Sequence, residues 1–263
     1  MIQTVDDYIY SIRSQGGYSF SLNALRKQVP GSEHAISLAL NRAVKKNKLV
    51  SVRKGFYIII PPEYAGKGML PVTYFIDDLM QWLERTYYIG LYSAAAILGA
   101  GHQQPMESYI FIQKPTLRPI RTNKLIINFM VKSNWDSIDI RMVKTDMGYV
   151  PVSSPELTAL DLLYYQHKGG VSRSLPILED FQELIQTNTL KETAERYPYI
   201  SSVQRLGYLF DRELQFNEIV TPLETFIEQK QPHYTRLSTR HPKQGTYDKK
   251  WKIVKNISLE ETI

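Results

Sequence analysis

The strongest constraint on the fold lies in residues 32–60, where a helical pattern is followed directly by a hairpin pattern. At about 100° per residue, the apolar side chains from Ile36 to Val44 fall on one arc of a helix and the polar side chains on the other. Ser32 can cap this helix, because its hydroxyl accepts from the free amides of the first turn. Pro30-Gly31 breaks the chain just before it. These residues predict an amphipathic helix with a polar, cationic outer face.

The hairpin is predicted by the segment that follows this helix. Leu49–Arg53 and Phe56–Ile60 are rich in β-branched and aromatic residues, which favour strands. Lys54-Gly55 between them is a two-residue loop with glycine where a positive φ is needed. The tip is therefore expected to present Arg53 and Lys54 to solvent.

Two further helices are predicted upstream. The first covers about Thr4–Ser14 and ends at Gly16-Gly17, and the second covers Ser21–Val29 before the Pro30-Gly31 turn. Helices followed by a hairpin with a charged tip are typical of a winged helix-turn-helix. Residues 1–60 are therefore interpreted as a DNA-binding domain.

The charge of the chain is concentrated in the same segment. Residues 1–60 hold nine Lys or Arg and three acidic residues, a net charge of +6, whereas residues 61–263 hold 23 basic and 23 acidic residues. Local positive charge is what phosphate binding requires. A solvated basic face on an ordinary small domain is the alternative interpretation of the charge alone.

The predicted DNA contacts divide by side-chain chemistry. The cations expected near phosphates are Lys45, Lys46, Lys48, Arg53 and Lys54. The side chains expected toward the groove are Ser37, Asn41, Arg42 and His34, with Ser32 at the start of the helix. Asn pairs well with adenine edges and Arg with guanine edges. For Ser37 and Asn41, plain exposure to solvent stays open as the alternative. Leu38 either touches a thymine methyl or packs under the hairpin.

The rest of the chain predicts an α+β order, with a small central sheet flanked by helices. A Pro/Gly-rich linker is expected at 61–70 and the larger α+β domain at 71–229. Helices are expected at about Val72–Thr86, Ser93–Leu98, from Ser154 onward and through most of Leu175–Gln229. Strands are expected at Tyr109–Gln113, Leu125–Val131, Ile138–Val143 and Tyr149–Val152.

The tail, residues 230–263, has its own composition. Lys230–Lys255 contains eight basic residues and one acid, Asp248. It is interpreted as an extended strap over the body, as a second contact surface for acidic partners, or as a solvated tail anchored by Trp251 and Ile253.

Composition narrows the function classes. The chain has no cysteine, which excludes disulfides and thiolate zinc sites, and no apolar run approaches a membrane span. Its N-terminus lacks the order of a signal peptide, so a cytoplasmic protein that does not contact the membrane is expected.

Catalytic signatures are absent from the sequence. No phosphate-binding loop or dinucleotide fingerprint occurs, and the five histidines show no metal-ligand spacing. His102, in a glycine-containing loop, is interpreted as structural or capping, and Asp161 as a hydrogen-bonded structural residue. We therefore expect no catalytic residue, no metal site and no cofactor.

Four segments together resemble a known family. They are Lys48–Ile59, Tyr88–Ala95, Gly101–Pro105 and Ser154–Asp161. Over roughly residues 1–190 the chain resembles the AbiEi antitoxins of bacterial type IV toxin–antitoxin systems, which act in abortive infection as a phage defence.

The resemblance implies that the winged helix represses its own operon by binding inverted repeats in the promoter. It also implies that the C-terminal domain counters a nucleotidyltransferase-like toxin encoded next to it, without a stable complex between the two proteins. The DNA-reading positions it implies are Ser37, Asn41, Arg42 and Lys45 on the helix, with Arg53 and Lys54 on the wing. It implies no catalytic residue.

Two other functions stay open from the sequence. The chain could be a ligand-responsive winged-helix transcription factor with no toxin, or a nuclease-like enzyme steered to DNA by the winged helix. A nuclease of this kind needs a Glu-x-Lys on a strand next to its Asp, and the strands predicted near Asp136 and Asp139 contain none, which argues against the nuclease.

Overall fold

The computed structural model describes residues 2–66, 68–101 and 105–259, and it has the mixed α+β order that the sequence predicts. The chain divides into two compact units. The first unit comprises Met1–Tyr88, Met106–Asn134 and Met142–Pro151, and the second comprises Ile89–Pro105, Trp135–Arg141 and Val152–Ile263. The boundaries predicted at residues 60, 70 and 229 stay a prediction.

The helices of the described residues are short to medium in length. They are α1 Val5–Ser14, α2 Leu22–Gln28, α3 Glu33–Lys45, α4 Ile76–Trp82, α5 Leu91–Ile97, α6 Pro155–Tyr164, α7 Val171–Asp180, α8 Thr187–Arg196, α9 Ile200–Tyr208 and α10 Asn217–Lys230. Single 3₁₀ turns lie at Pro62–Tyr64, Val72–Tyr74, Ser137–Asp139, Gln166–Lys168 and Phe181–Glu183, and a π-helical turn lies at Leu209–Glu213.

The strands are likewise short. They are β1 Ser19–Ser21, β2 Leu49–Arg53, β3 Phe56–Ile59, β4 Tyr87–Ile89, β5 Glu107–Ile112, β6 Ile120–Thr122, β7 Leu125–Val131, β8 Ile140–Thr145, β9 Gly148–Ser153, β10 Thr235–Arg236, β11 Thr246–Asp248 and β12 Ile253–Lys255.

The N-terminal part of the first unit consists of α1, α2 and α3 with the sheet β1-β3-β2. The side chains of all three helices and the hairpin meet in one apolar cluster that includes Tyr8, Phe20, Leu25, Leu40 and Leu49. The predicted helices and hairpin are confirmed. Strand β1 was not predicted, because three residues give too short a pattern, and its antiparallel pairing with β3 only becomes visible in the fold.

Two caps set where these helices begin. The Thr4 hydroxyl accepts from the Asp7 amide while the Asp7 carboxylate accepts from the Thr4 amide, a capping box that fixes the start of α1. The Ser32 hydroxyl accepts from the Ala35 amide at 3.2 Å and starts α3 at the predicted residue.

The remaining strands of the first unit form a mixed arrangement. Within this unit β6, β7, β5 and the first residues of β4 are neighbours in that order, with β5 parallel to β7 and β6 antiparallel to it. The four predicted strands are confirmed, but β4 and β6 were missed, since each has only three residues. The helix predicted over 72–86 is reduced to α4, because the backbone of Phe75 leaves the helical region and Glu84 has a positive φ.

The second unit is mainly helical. Ile89 at the end of β4 pairs in parallel with Val152 of β9, and α6 follows with Ser154 as its cap and Pro155 as its first residue, as predicted. Every residue of α6 from Pro155 to Leu163 is buried, because α5, α7, α8 and α9 pack around it.

The described part of the tail, residues 230–259, belongs to the second unit and is partly buried in it. Strands β10, β12 and β11 form a small sheet in that order, and Leu237, Trp251, Ile253 and Val254 are buried. The anchoring role expected of Trp251 and Ile253 is confirmed.

Candidate nucleic-acid interface

The outer face of α3 is open to solvent. Six of its residues form two stripes at four-residue spacing, His34–Leu38–Arg42 and Ser37–Asn41–Lys45, and all six side chains are exposed. The four predicted groove-facing residues, His34, Ser37, Asn41 and Arg42, are among them. Leu38 is 42% exposed, so the alternative in which it packs under the hairpin is wrong. The opposite face, with Ile36, Leu40 and Ala43, is buried in the apolar cluster.

The orientation of this face is fixed by the fold of its neighbours. The cap at Ser32 is exposed, and its hydroxyl already accepts a backbone hydrogen bond. Glu33 in the first turn forms an ion pair with Arg26 of α2 at 3.3 Å. These contacts lie at the start of α3, and the side chains of its two polar stripes stay exposed.

Three of the predicted DNA-binding cations surround a cavity of about 250 Å³ between α1 and α3. They are Arg42, Lys46 and Lys48, and Asp6 lies on the α1 side of the same cavity. The Lys48 ammonium is 3.0 Å from the Asp6 carboxylate, and both side chains are well exposed. The sequence did not place α1 at this site; only packing brings Asp6 next to Lys48.

Of the two cations that were predicted to face solvent at the hairpin tip, Lys54 does so and Arg53 does not. Lys54 is exposed, and Gly55 has the expected positive φ of 90°. Arg53, expected in solvent, is half-buried in the first unit instead. Its guanidinium donates to the carbonyl oxygen of Arg118 and lies 5.5 Å from the centre of the Phe129 ring.

Burial changes the electrostatics of Arg53. Loss of solvent lowers the pKa of its guanidinium, and its Nε is buried without a hydrogen-bond partner in the described part of the chain. The prediction that Arg53 faces solvent is therefore wrong, whereas its contact with DNA stays a prediction. The alternation of side chains along β2 could not predict the burial of Arg53, because the residues that cover it come from β7 and the loop before β6.

Two acidic residues buried in the second unit accept hydrogen bonds from neighbouring side chains. Thr193 and Arg196 both bind the Asp139 carboxylate at 2.8 Å, and the Tyr197 hydroxyl donates to Asp161 at 2.7 Å. The hydrogen bonding predicted for Asp161 is confirmed, and its structural role stays a prediction.

Arg141 and Glu156 form another ion pair in the second unit, in which the carboxylate is buried and the guanidinium is exposed. Glu156 is fully buried, accepts from the Gln186 amide at 3.0 Å and forms an ion pair with Arg141 at 3.3 Å. Each of these carboxylates is hydrogen-bonded, as buried charged groups require.

Two properties of the described residues concern metal binding and membrane insertion. Among them, no three His, Cys, Asp or Glu side chains cluster in a way that could hold a metal ion. No helix in the same ranges is both long and apolar enough to cross a bilayer. His102 lies outside the described residues.

Comparison with known proteins bears on the part of the chain that follows the hairpin. Residues 88–212 match the family model described as the AbiEi antitoxin C-terminal domain. The chain contains an AbiEi-family antitoxin domain. The AbiEi antitoxin family is not an enzyme family, and an antitoxin family implies a toxin partner. The AbiEi domain includes α5, α6 and the buried carboxylate contacts of Asp139, Glu156 and Asp161.

A solved structure shares the fold of nearly the whole chain. The crystal structure of the RV2827C protein from Mycobacterium tuberculosis superposes with a TM-score of 0.69 at 16% identity, covering 94% of this chain and 89% of that one. At this identity the likeness concerns the fold alone. No curated protein sequence gives a significant match.

Proposed function

We propose that this chain is an antitoxin and transcriptional autorepressor. In this proposal residues 1–60 form a winged helix that binds inverted repeats in the chain's own promoter. The AbiEi domain counters a nucleotidyltransferase-like toxin of a type IV abortive-infection system, and the two proteins need no stable complex. The observation that carries the proposal is the AbiEi domain at residues 88–212 in the same chain as an exposed, cationic helix.

The DNA-binding half is supported by the order of elements and by exposure. The order α1, β1, α2, α3, β2, β3 supports the proposed winged helix, whose third helix would enter the major groove. The stripes on α3 contain Ser37 and Asn41, whose side chains can hydrogen-bond base edges. Lys45, Lys46 and Lys54 are exposed at positions suited to the flanking phosphates.

The antitoxin half is supported by the family of the domain. The nature of the toxin, the inverted repeats and the absence of a stable complex come from the resemblance to the AbiEi antitoxins. Inverted repeats would require two copies of the chain, one for each half-site, because operator symmetry mirrors protein symmetry.

Binding to the promoter tests the first half. Purified full-length protein should bind a labelled duplex from the region upstream of its own gene more tightly than a shuffled duplex of the same length and composition at moderate salt. Equal affinity for the two duplexes would contradict specific repression.

Growth rescue tests the second half. Co-expression with a neighbouring nucleotidyltransferase-like gene should restore growth that this gene alone arrests. Variants of α3 that no longer bind DNA should still rescue when expressed from a foreign promoter. Continued growth arrest in the presence of the wild-type chain would contradict the antitoxin role.

A further inference from the structure

The cavity between α1 and α3 has a cationic rim and an apolar floor. Its lining residues are Thr4, Val5, Asp6, Ala39, Arg42, Ala43, Lys46 and Lys48. Val5 and Ala43 are buried and Ala39 is half-buried, whereas the charged side chains are exposed. Its volume of about 250 Å³ is far above the ~15 Å³ that holds one water molecule, so a phosphate group has room in it.

The charges of the lining favour an anion. Arg42, Lys46 and Lys48 bring three positive charges and Asp6 brings one negative charge. Arg42 and Lys46 are four residues apart and so lie on the same side of α3. Neither forms an ion pair with an acid in the described part of the chain, whereas Lys48 is held by Asp6 at 3.0 Å. Two cations are therefore left to attract a ligand.

We propose that this cavity binds a phosphate group, with Arg42 and Lys46 as its ligands and Lys48 turning to it from Asp6. The inference rests on the proposed function, in which the phosphate is a phosphodiester of bound DNA. Arg42 then binds the backbone and does not read a guanine edge, and Asp6 weakens binding by competing for Lys48. A free phosphate ion offers the same chemistry from another source.

Duplex binding is the first arm of the test. Fluorescence anisotropy is measured for the full chain with the upstream duplex and with a shuffled duplex over a salt series. Arg42→Ala and Lys46→Ala should weaken both duplexes alike and make the log–log salt slope shallower by about one unit each. Asp6→Asn should tighten binding to both duplexes severalfold.

Matched controls carry the same charge change away from the cavity. Lys191→Ala and Glu195→Gln lie on exposed positions of α8 in the second unit, and they should leave both affinities and the slope unchanged. A loss on the upstream duplex alone in Arg42→Ala would overturn the phosphate role in favour of base reading.

Inorganic phosphate is the second arm. The thermal midpoint of each variant is compared in sodium phosphate and in sodium chloride at equal ionic strength. If a free ion also binds, phosphate raises the thermal midpoint of each protein by an amount that depends on the cavity. We expect the smallest rise for Lys46→Ala, an intermediate rise for the wild type and the largest rise for Asp6→Asn.

The two arms keep the two proposals separate. A wild type that binds neither duplex but shows the cavity-dependent phosphate shift would contradict the proposed function and support the phosphate site. The opposite outcome is a wild type that binds the upstream duplex specifically, while the three cavity variants behave like their controls in both arms. That outcome would overturn the phosphate site and leave the proposed function standing.

Discussion

The indole nitrogen of Trp251 donates a 2.7 Å hydrogen bond to a carboxylate oxygen of Asp211. Trp251 is completely buried, and Lys250 beside it binds the same carboxylate at 3.1 Å. The Gln204 amide donates to the carbonyl oxygens of Trp251 and Lys252. These contacts tie the basic tail to the second unit, and the acids of that unit neutralise part of its charge.

The first prediction concerns this hydrogen bond. Trp251→Phe keeps an aromatic ring but removes the donor, so we expect the free energy of unfolding to fall by about 1–3 kcal/mol. Trp251→Ala also leaves a cavity and should cost about 3–5 kcal/mol. Urea denaturation followed by circular dichroism measures both. Trp82→Phe, at a side chain that is 36% exposed, is the matched control, and an equal loss there would contradict the role of the indole donor.

A second prediction is a pH dependence at Asp211. Burial raises the pKa of this carboxyl, but the hydrogen bonds from Trp251 and Lys250, together with the positive charges of Lys250 and Arg212, outweigh burial and leave the pKa below its ordinary value. A carboxyl with a lowered folded-state pKa stabilises the fold above its unfolded pKa of about 3.9, and this contribution is lost as the pH falls through the folded-state pKa.

Asp211→Asn should therefore be less stable than the wild type by a constant amount between about pH 5 and 7, and the difference should shrink below about pH 4. Urea midpoints measured from pH 3 to 7 test this. A difference that stays the same down to pH 3 would show that the charge of Asp211 does not contribute.

The third prediction concerns the close approach of α9 to the tail. A Cβ at Gly207 would overlap the ring of Trp251, and this ring is fully buried. Gly207→Ala should destabilise the protein by about 1–3 kcal/mol. Gly66→Ala, where a Cβ meets no atom within 4 Å, should be close to neutral. The thermal midpoints of the two variants are measured side by side. Equal shifts of the two midpoints would contradict the packing argument.

A fourth prediction separates the two neighbouring cations of the hairpin tip. Arg53→Ala loses the contacts with Arg118 and Phe129 and should reduce the free energy of unfolding by about 1–3 kcal/mol. Lys54→Ala should leave stability unchanged within about 0.5 kcal/mol. On DNA, Lys54→Ala should weaken binding to all sequences and make the salt slope shallower by about one unit. Equal stability of the two variants would contradict the role of the half-buried Arg53 contacts in stability.

The fifth prediction tests base reading by α3. Asn41→Ala should cost about 1–3 kcal/mol on the specific promoter site and nothing on random DNA, because a paired hydrogen bond to adenine discriminates between bases. Anisotropy titrations with both duplexes measure the two losses. Equal losses on specific and random DNA would show that Asn41 contacts the backbone only.

The sequence by itself determined the local elements of the N-terminal segment. The Ser32 cap, the apolar arc of α3 and the Lys54-Gly55 loop are short-range signals, and each acts within a few residues of its place in the chain. The same is true of Ser154 and Pro155 at the start of α6. The exposed face of α3 could therefore be named in advance, together with the residues expected to read DNA.

Only the tertiary structure decided which charged groups are free. Arg53 and Lys54 are neighbours with the same charge, but the loop before β6 and strand β7 cover the first and leave the second in solvent. Lys48 meets Asp6 across 42 residues, and the tail cations meet Asp211 and Glu213 on the π-helical turn after α9. These partners lie far apart along the chain, so no local pattern encodes them. Packing alone brings them together, and it determines which cations remain available for a ligand.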